Sequence, residues 1–330
     1  MLSYENVINK SKAFGLINMD ASENRVSHAY LFVSQDENYL LEFSKQIATL
    51  LINLNEKENA EKNALRIKSY LHPDVKFYGY DEKSAINVDV VSKINEQAQV
   101  CPFEADKKIF VLFNVQDMNE ISQNKILKTI EEPPANTYFL LCATGTSRIL
   151  TTILSRVKQV ELENLTNETI TEMLVFAGSP RQSAEIFASC SNGNSTFAEK
   201  LALDTGFLDF FGKIVSCFFD IKGSRDVLRY SSFFTAKNID KNEFFDIATL
   251  ISRDLSMIIA GKSELVICKN VLSKLKVIAS SLNLDATSTL IETCLQAKED
   301  LVFNANQTAV IDNFLFKIAE VKVKCRRLLA

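Results

Sequence analysis

The chain has 330 residues, of which 47% are hydrophobic and 24% charged, with a formal net charge of −4. This composition is typical of a soluble globular protein, and the length predicts two or three domains. The negative balance argues against a dedicated DNA-binding protein with a broad basic face, although it permits a few phosphate contacts. No apolar run approaches the roughly 18 residues of a membrane span, and the N-terminus is charged where a signal peptide is apolar. We therefore expect a cytoplasmic protein.

The first half of the chain alternates short apolar runs with helical stretches. The apolar runs cover residues 30–33, 75–78, 109–113, 138–142 and 157–162, and helical stretches between them cover 39–54, 88–100 and 123–132. Asn119 precedes the last of these helices as a plausible N-cap, and Pro133 ends it because proline cannot continue the hydrogen-bond ladder. Buried strands alternating with helices predict an α/β fold with a parallel sheet.

The second half of the chain is different in character. All five prolines lie at or before Pro180, and apolar residues then recur at helical spacing, as in Val310, Ile311, Phe314, Leu315 and Ile318. We interpret this half as all-helical, and its many phenylalanines as core or subunit-interface residues. The predicted division is an α/β domain at 1–163, a small helical domain at 164–205 and a larger helical domain at 206–330.

Seven cysteines are scattered along the chain without a C-x-x-C pair. A structural zinc site needs several thiolates or imidazoles close together, and the chain has two histidines, His28 and His72. We therefore predict no metal site, and expect most cysteines to be small core residues in a reduced cytosolic protein.

The frame is that of a nucleotide-binding domain, but the residues that hold a nucleotide are missing. A P-loop needs glycines after the first strand and a lysine that reaches the phosphates. Here residues 29–33 run into Ser34-Gln35-Asp36, and no glycine occurs between Gly15 and Gly79. The strand that should end in Mg²⁺-binding acids ends in Asn114-Val115-Gln116, and Asp117 is the one acid there. We therefore predict no nucleotide or Mg²⁺ bound by this chain itself.

Five motifs occur in a defined order over about 130 residues. They are SHAYLF at 27–32, HPD at 72–74, INVDVV at 86–91, LKTIEEPP at 127–134 and ILSR at 153–156. On these residues the chain resembles the delta-prime subunits of bacterial DNA polymerase III clamp loaders, a degenerate family of the AAA+ class. It departs from the family at Val157, where a cysteine is usual, and lacks the four-cysteine zinc module before His72.

The resemblance implies both a fold and a function. The fold would be a degenerate AAA+ P-loop-type sheet domain with a helical lid and a C-terminal helical collar that holds a hetero-oligomer together. Arg156 would act as an arginine finger on ATP-Mg²⁺ held by a neighbouring subunit, with Ser155 supporting it. The implied partners are gamma/tau-type ATPase subunits and the delta subunit, with the sliding clamp and primed DNA reached through the complex, as part of the DNA polymerase III holoenzyme.

Two other interpretations stay open at the level of sequence. The chain could be an active AAA+ ATPase, such as a motor subunit or a DNA-remodelling relative, against which the missing glycine loop weighs heavily. It could also be a pure scaffold, against which the retained Ser155-Arg156 pair argues. Glu131 and Glu132 end a helix whose dipole disfavours acids, so we expect them to contact a cation, either Lys128 or a neighbouring subunit.

Overall fold

The computed structural model describes residues 4–55, 57–80, 85–236 and 239–329. The chain forms two compact units. The first runs as far as Phe176 and includes the short segment Gly193–Phe197, and the second comprises Ala177–Asn192 and the chain from Ala198 onward. The division into three domains at 163/164 and 205/206 stays a prediction.

The first unit is built around a parallel five-stranded sheet with the order β2-β3-β4-β1-β5. Its strands are β1 (Ala29–Val33), β2 (Val75–Tyr78), β3 (Lys108–Leu112), β4 (Thr137–Ala143) and β5 (Lys158–Glu161). All five predicted strands are therefore present, and the predicted parallel sheet is confirmed. β1 lies between β4 and the edge strand β5, so the turn that follows it opens at the carboxyl end of the sheet, one strand from its edge.

Helices accompany this sheet in the first unit. They are α1 (Tyr4–Ile8), α2 (Lys12–Ser22), α3 (Glu37–Asn53), α4 (Ala60–Lys68), α5 (Val88–Ala98), α6 (Glu120–Glu131), α7 (Thr151–Leu154) and α8 (Asn167–Phe176). Of these, α2, α3, α5 and α6 begin at side-chain caps. The predicted cap is confirmed, because the Asn119 side chain accepts a hydrogen bond from the Ser122 amide at 2.8 Å. The core between β3, β4, α5 and α6 includes Phe110, Phe139 and Ile126, all fully buried or nearly so.

The HPD motif has a structural role in the first unit. The buried Asp74 carboxylate accepts hydrogen bonds from the backbone N–H groups of Phe103, Glu104 and Ala105 at 2.6, 2.9 and 2.9 Å. Nδ1 of His72 accepts from the Asp74 amide at 3.2 Å. Burial alone would raise the pKa of Asp74, but the three N–H donors and His72 bring this pKa below its ordinary value. The motif thus fixes the loop before β3.

The second unit contains helices and no strand among its described residues, which confirms the prediction for the C-terminal half. Its helices are α9 (Arg181–Cys190), α10 (Ser195–Leu203), whose first turn belongs to the first unit, α11 (Phe207–Asp220), α12 (Ser224–Phe234), α13 (Lys241–Ile259), α14 (Leu272–Ala279), α15 (Leu284–Val302) and α16 (Gln307–Leu329). Phe234, Phe244 and Phe314 form one ring cluster with centroids 4.6–5.8 Å apart, so these phenylalanines are core residues. In the described part of the chain, no helix is long and apolar enough to cross a membrane.

An acidic cavity of about 290 Å³ lies among α11, α12 and α13 in the second unit. Glu243 lines it together with Asp204, Asp209 and Asp240. Burial, and then the neighbouring carboxylates, raise the pKa of Glu243 from its ordinary value of 4.5 to about 7. The folded state therefore binds more protons than the unfolded state between these two pH values.

We expect this carboxyl to make stability depend on pH. Its favourable contribution is complete below about pH 4.5 and is lost as the pH rises through about 7. Glu243→Gln removes the titration, so the thermal midpoint of the wild type should fall relative to that of the variant between pH 5 and 8. Glu292→Gln, at an exposed carboxyl of the same unit, is the matched control. Parallel midpoint curves for the wild type and Glu243→Gln would contradict the assignment.

Candidate functional site

The turn between β1 and α3 carries a buried carboxylate where a P-loop would carry glycines. Asp36 is 3% exposed and is the N-cap of α3, where its Oδ1 accepts a hydrogen bond from the Tyr39 amide at 3.1 Å. The Asp36 amide donates to Ser34 Oγ at 3.1 Å, and the Ser34 amide donates to the Ala143 carbonyl of β4 at 3.2 Å. The side chains of Ser34 and Asp36 thus accept hydrogen bonds from backbone amides of this turn and of the first turn of α3.

A second helix start points at the same carboxylate. Asp36 Oδ2 accepts hydrogen bonds from the amide and the hydroxyl of Ser195 at 2.5 and 2.6 Å, and Oδ1 accepts from the Thr196 hydroxyl at 2.8 Å. Ser195 begins α10, and the segment Gly193–Phe197 belongs to the first unit. Helix N-termini attract anions because their amides are unpaired and their dipoles are positive. Asp36 is therefore an internal anion shared by two helix starts.

The segment that brings Ser195 to this position depends on a glycine. Gly193 has φ +83°, and a Cβ there would lie 2.7 Å from Cβ of Asn164 and 2.8 Å from the Leu165 carbonyl oxygen. The Leu165 amide donates to the Gly193 carbonyl at 3.1 Å. Only glycine fits this positive φ and this close approach without strain, so the turn at 192–194 has a specific structural role.

The ends of β3 and β4 leave a small cavity beside this turn. Its volume is about 90 Å³, and Glu37, Asn38, Tyr80, Asn114 and Cys142 are among its lining residues. Small-molecule sites are usually about 300–1,000 Å³. Asn114 has a left-handed backbone at φ 54°, and its Nδ2 donates to the Gly79 carbonyl at 3.1 Å. The cavity is therefore narrow and lined by an amide where a carboxylate would hold Mg²⁺.

Asp117, the one acid after β3, is directed elsewhere. Its Oδ1 lies 3.2 Å from Nη1 of Arg148, an exposed residue in the turn before α7. Within the described ranges, no group of three His, Cys, Asp or Glu side chains is placed to hold a metal ion. Asp117 thus stabilises a surface turn through an exposed ion pair.

Arg156 lies directly after α7, and its guanidinium contacts its own chain on two edges. Nη2 donates to Glu131 Oε1 at 3.2 Å, and Nε lies 3.1 Å from Glu131 Oε2. Nη1 donates to the Thr152 carbonyl at 3.1 Å and to Ser155 Oγ at 3.3 Å. The Arg156 side chain is 34% exposed and that of Glu131 is 54% exposed. The arginine is therefore ordered but accessible from solvent.

Ser155 makes two side-chain contacts at the end of α7. It is the C-cap of α7, and its hydroxyl donates to the Thr152 carbonyl at 3.1 Å while accepting from Arg156. The hydroxyl thereby supports the guanidinium at the helix end. Glu131 meets the expectation of a cationic partner, but that partner is Arg156 and comes from a distant part of the sequence.

The parallel sheet, the altered turn after β1 and the helical second unit define a degenerate AAA+ domain of the P-loop type joined to a helical region. Residues 9–166 match the family model described as "DNA polymerase III, delta subunit". This match, together with the delta' relative described next, confirms the resemblance to the clamp-loader delta-prime family.

Individual relatives agree with this assignment. The chain is 24% identical to the DNA polymerase III subunit delta' of Bacillus subtilis over 312 residues, which cover 90% of this chain and 92% of that protein. It is 34% identical to subunit tau of Salmonella typhimurium over 94 residues, or 28% of this chain and 15% of tau. A gamma subunit-related protein from Thermotoga maritima aligns over 93% of this chain and 99% of its own at 16% identity, with a TM-score of 0.35. The family match and the sequence relatives, delta' and tau, indicate a subunit of the clamp-loader type.

The sequence predicts the loop without glycines and draws attention to Arg156, but it does not predict the distant residues that Asp36 and Arg156 contact. An aspartate before an apolar helix is a readable N-cap signal, so the capping role of Asp36 was accessible from sequence. Its bonds to Ser195 and Thr196 cross about 160 positions and have no local signature. The pairing of Glu131 with Arg156 depends likewise on how α6 and α7 pack.

Proposed function

We propose that this chain is a non-hydrolysing clamp-loader subunit. It assembles with gamma/tau-type ATPase subunits and a delta subunit, presents Arg156 to ATP-Mg²⁺ held by a neighbour, and supports loading of the sliding clamp onto primed DNA in the cytoplasm. As part of a DNA polymerase III holoenzyme it binds no nucleotide or metal of its own.

The observation that carries the non-hydrolysing role is the position of Asp36. Its carboxylate accepts hydrogen bonds at the starts of α3 and α10. The start of α3 is where a P-loop protein binds phosphates through backbone amides. A second anion beside a buried carboxylate is repelled, and no lysine follows the turn to offset its charge. The 90 Å³ cavity at the strand ends also supports this role, since it is small for a nucleotide.

The geometry of Arg156 supports the finger. The residue lies after the last helix before β5, at one edge of the sheet, and a third of its side chain is exposed. A guanidinium presents a planar fork of donors that matches phosphate oxygens, so it can stabilise charge that develops during phosphoryl transfer. The partners follow from the homologues, which are delta', gamma and tau subunits of DNA polymerase III.

We expect the isolated chain to show no Mg²⁺-dependent binding of a fluorescent ATP analogue at micromolar concentration. Adding it to the ATPase and delta subunits of the same organism should restore ATP hydrolysis stimulated by clamp and primed DNA. The second experiment tests the loader role, and the first separates it from an active ATPase. Micromolar binding with slow hydrolysis by the isolated chain would overturn the non-hydrolysing role.

A further inference from the structure

The helix end at Glu131-Glu132-Pro133-Pro134 contains a carboxylate, that of Glu131, to which the proposed function assigns no role. Glu131 ends α6, where the helix dipole disfavours an acid. Its carboxylate lies along the Nε–Nη2 edge of Arg156. The adjacent Glu132, which is also exposed, makes no ion pair with another described residue. Glu131 is therefore placed to act on Arg156, whereas its neighbour is not.

The contacts of Arg156 leave it poorly prepared to hold a phosphate. A guanidinium binds two phosphate oxygens most strongly through a pair of parallel N–H donors on one edge. Glu131 occupies the Nε–Nη2 edge. On the other edge, Nη1 already donates to the Thr152 carbonyl and to Ser155 Oγ. Nε lies close to the carboxylate but makes no hydrogen bond itself to any described residue. The carboxylate in front of it and the bonds of Nη1 and Nη2 still leave neither edge open, so Arg156 must exchange contacts before it can bind a neighbour's ATP.

We propose that Glu131 is a positioning residue that holds Arg156 in a parked state until the neighbouring ATP site forms around the arginine. In the parked state the guanidinium contacts Glu131, Thr152 and Ser155 in place of a phosphate. This inference rests on the proposed function of Arg156 as a finger. The triphosphate with its Mg²⁺ competes with Glu131 for the same donors. The pair is half-exposed, so it biases the equilibrium between parked and released arginine by about two- to five-fold. Such a bias keeps hydrolysis low before assembly on clamp and DNA without preventing it afterwards.

The test uses the loader reconstituted from full-length subunits, with wild type, Glu131→Gln, Arg156→Ala and the matched control Glu132→Gln. Glutamine keeps the size of Glu131 but removes its charge. We expect Glu131→Gln to raise the ATPase rate without clamp and DNA about two- to five-fold, and to leave the stimulated rate nearly unchanged. Glu132→Gln should behave as wild type in both assays, and the thermal midpoints of all variants should lie within about 4 °C of the wild type, because the Glu131–Arg156 pair is half-exposed.

A spectroscopic measurement reports on the parked state itself. In the isolated chain, the ¹⁵N order parameter of the Arg156 Nε–H group should be high in the wild type and lower in Glu131→Gln. If Glu131 had a purely structural role, Glu131→Gln would instead lower the thermal midpoint by more than about 4 °C and leave both ATPase rates unchanged.

The outcomes separate the two proposals. If Arg156→Ala leaves the stimulated rate unchanged, the finger is wrong and the parked state has no function. If Arg156→Ala is slow and Glu131→Gln matches wild type in both rates, the finger stands and the parking role is overturned. If Glu131→Gln slows both rates, Glu131 orients Arg156 for catalysis and does not restrain it, which also overturns the proposal.

Discussion

Replacing Arg156 with alanine is expected to slow ATP hydrolysis at the neighbouring site by about 10³- to 10⁵-fold while the loader still assembles. An arginine finger lowers the activation barrier by about 4–7 kcal/mol, because its charge and paired donors stabilise the transition state. The total ATPase rate of the complex should fall by the fraction that this one site contributes. Single-turnover hydrolysis with clamp and primed DNA measures this share directly.

The side chain contributes little to folding, so a loss of rate can be attributed to chemistry. Its partner Glu131 is half-exposed, and removal of such a pair changes stability by about 0–1 kcal/mol. Arg148→Ala is the matched control, since Arg148 is an exposed arginine in the same turn region whose partner is Asp117. Arg156→Lys should also be slow, because an ammonium lacks the planar fork. If Arg156→Ala supports wild-type hydrolysis and loading, the chain is a scaffold.

Replacing Asp36 with alanine is expected to destabilise the first unit by about 3–5 kcal/mol. The carboxylate is almost fully buried and accepts hydrogen bonds from Tyr39, Ser195 and Thr196. Alanine leaves these donors without an acceptor, and each buried unsatisfied donor costs about 1–3 kcal/mol. Urea unfolding followed by circular dichroism measures the loss, and faster hydrogen exchange at the Ser195 amide locates it.

Two further variants sharpen this result. Asp36→Asn keeps one acceptor oxygen and should therefore lose less stability than alanine. It should still be less stable than the wild type, because its NH₂ group cannot accept the hydrogen bonds made to the other carboxylate oxygen. Glu37→Gln changes the next residue, which is exposed in the first turn of α3, and should cost at most about 1 kcal/mol through the helix dipole. A loss below about 1 kcal/mol for Asp36→Ala would contradict the role of the carboxylate.

The accuracy of the strand prediction has a physical cause. Strands in a parallel sheet with both faces covered are continuous apolar runs, and β3 is buried at every position. The pattern was therefore visible in 109–113 without any tertiary information, with the ends displaced by one residue. One local expectation was incomplete, since Glu131 has Arg156 as its partner and its bonds to Arg156 join residues 25 apart.

The sequence by itself determined the alternation of strands and helices, the helical second half, and the absence of a glycine loop and its lysine after β1. These features are local, because periodicity, proline and glycine act within a few residues. Only the tertiary structure decided that Asp36 accepts hydrogen bonds from the first turns of both α3 and α10, and that Glu131 forms an ion pair with Arg156. Both are contacts between side chains distant in sequence, and their geometry depends on how the sheet and helices pack together, which no short pattern encodes.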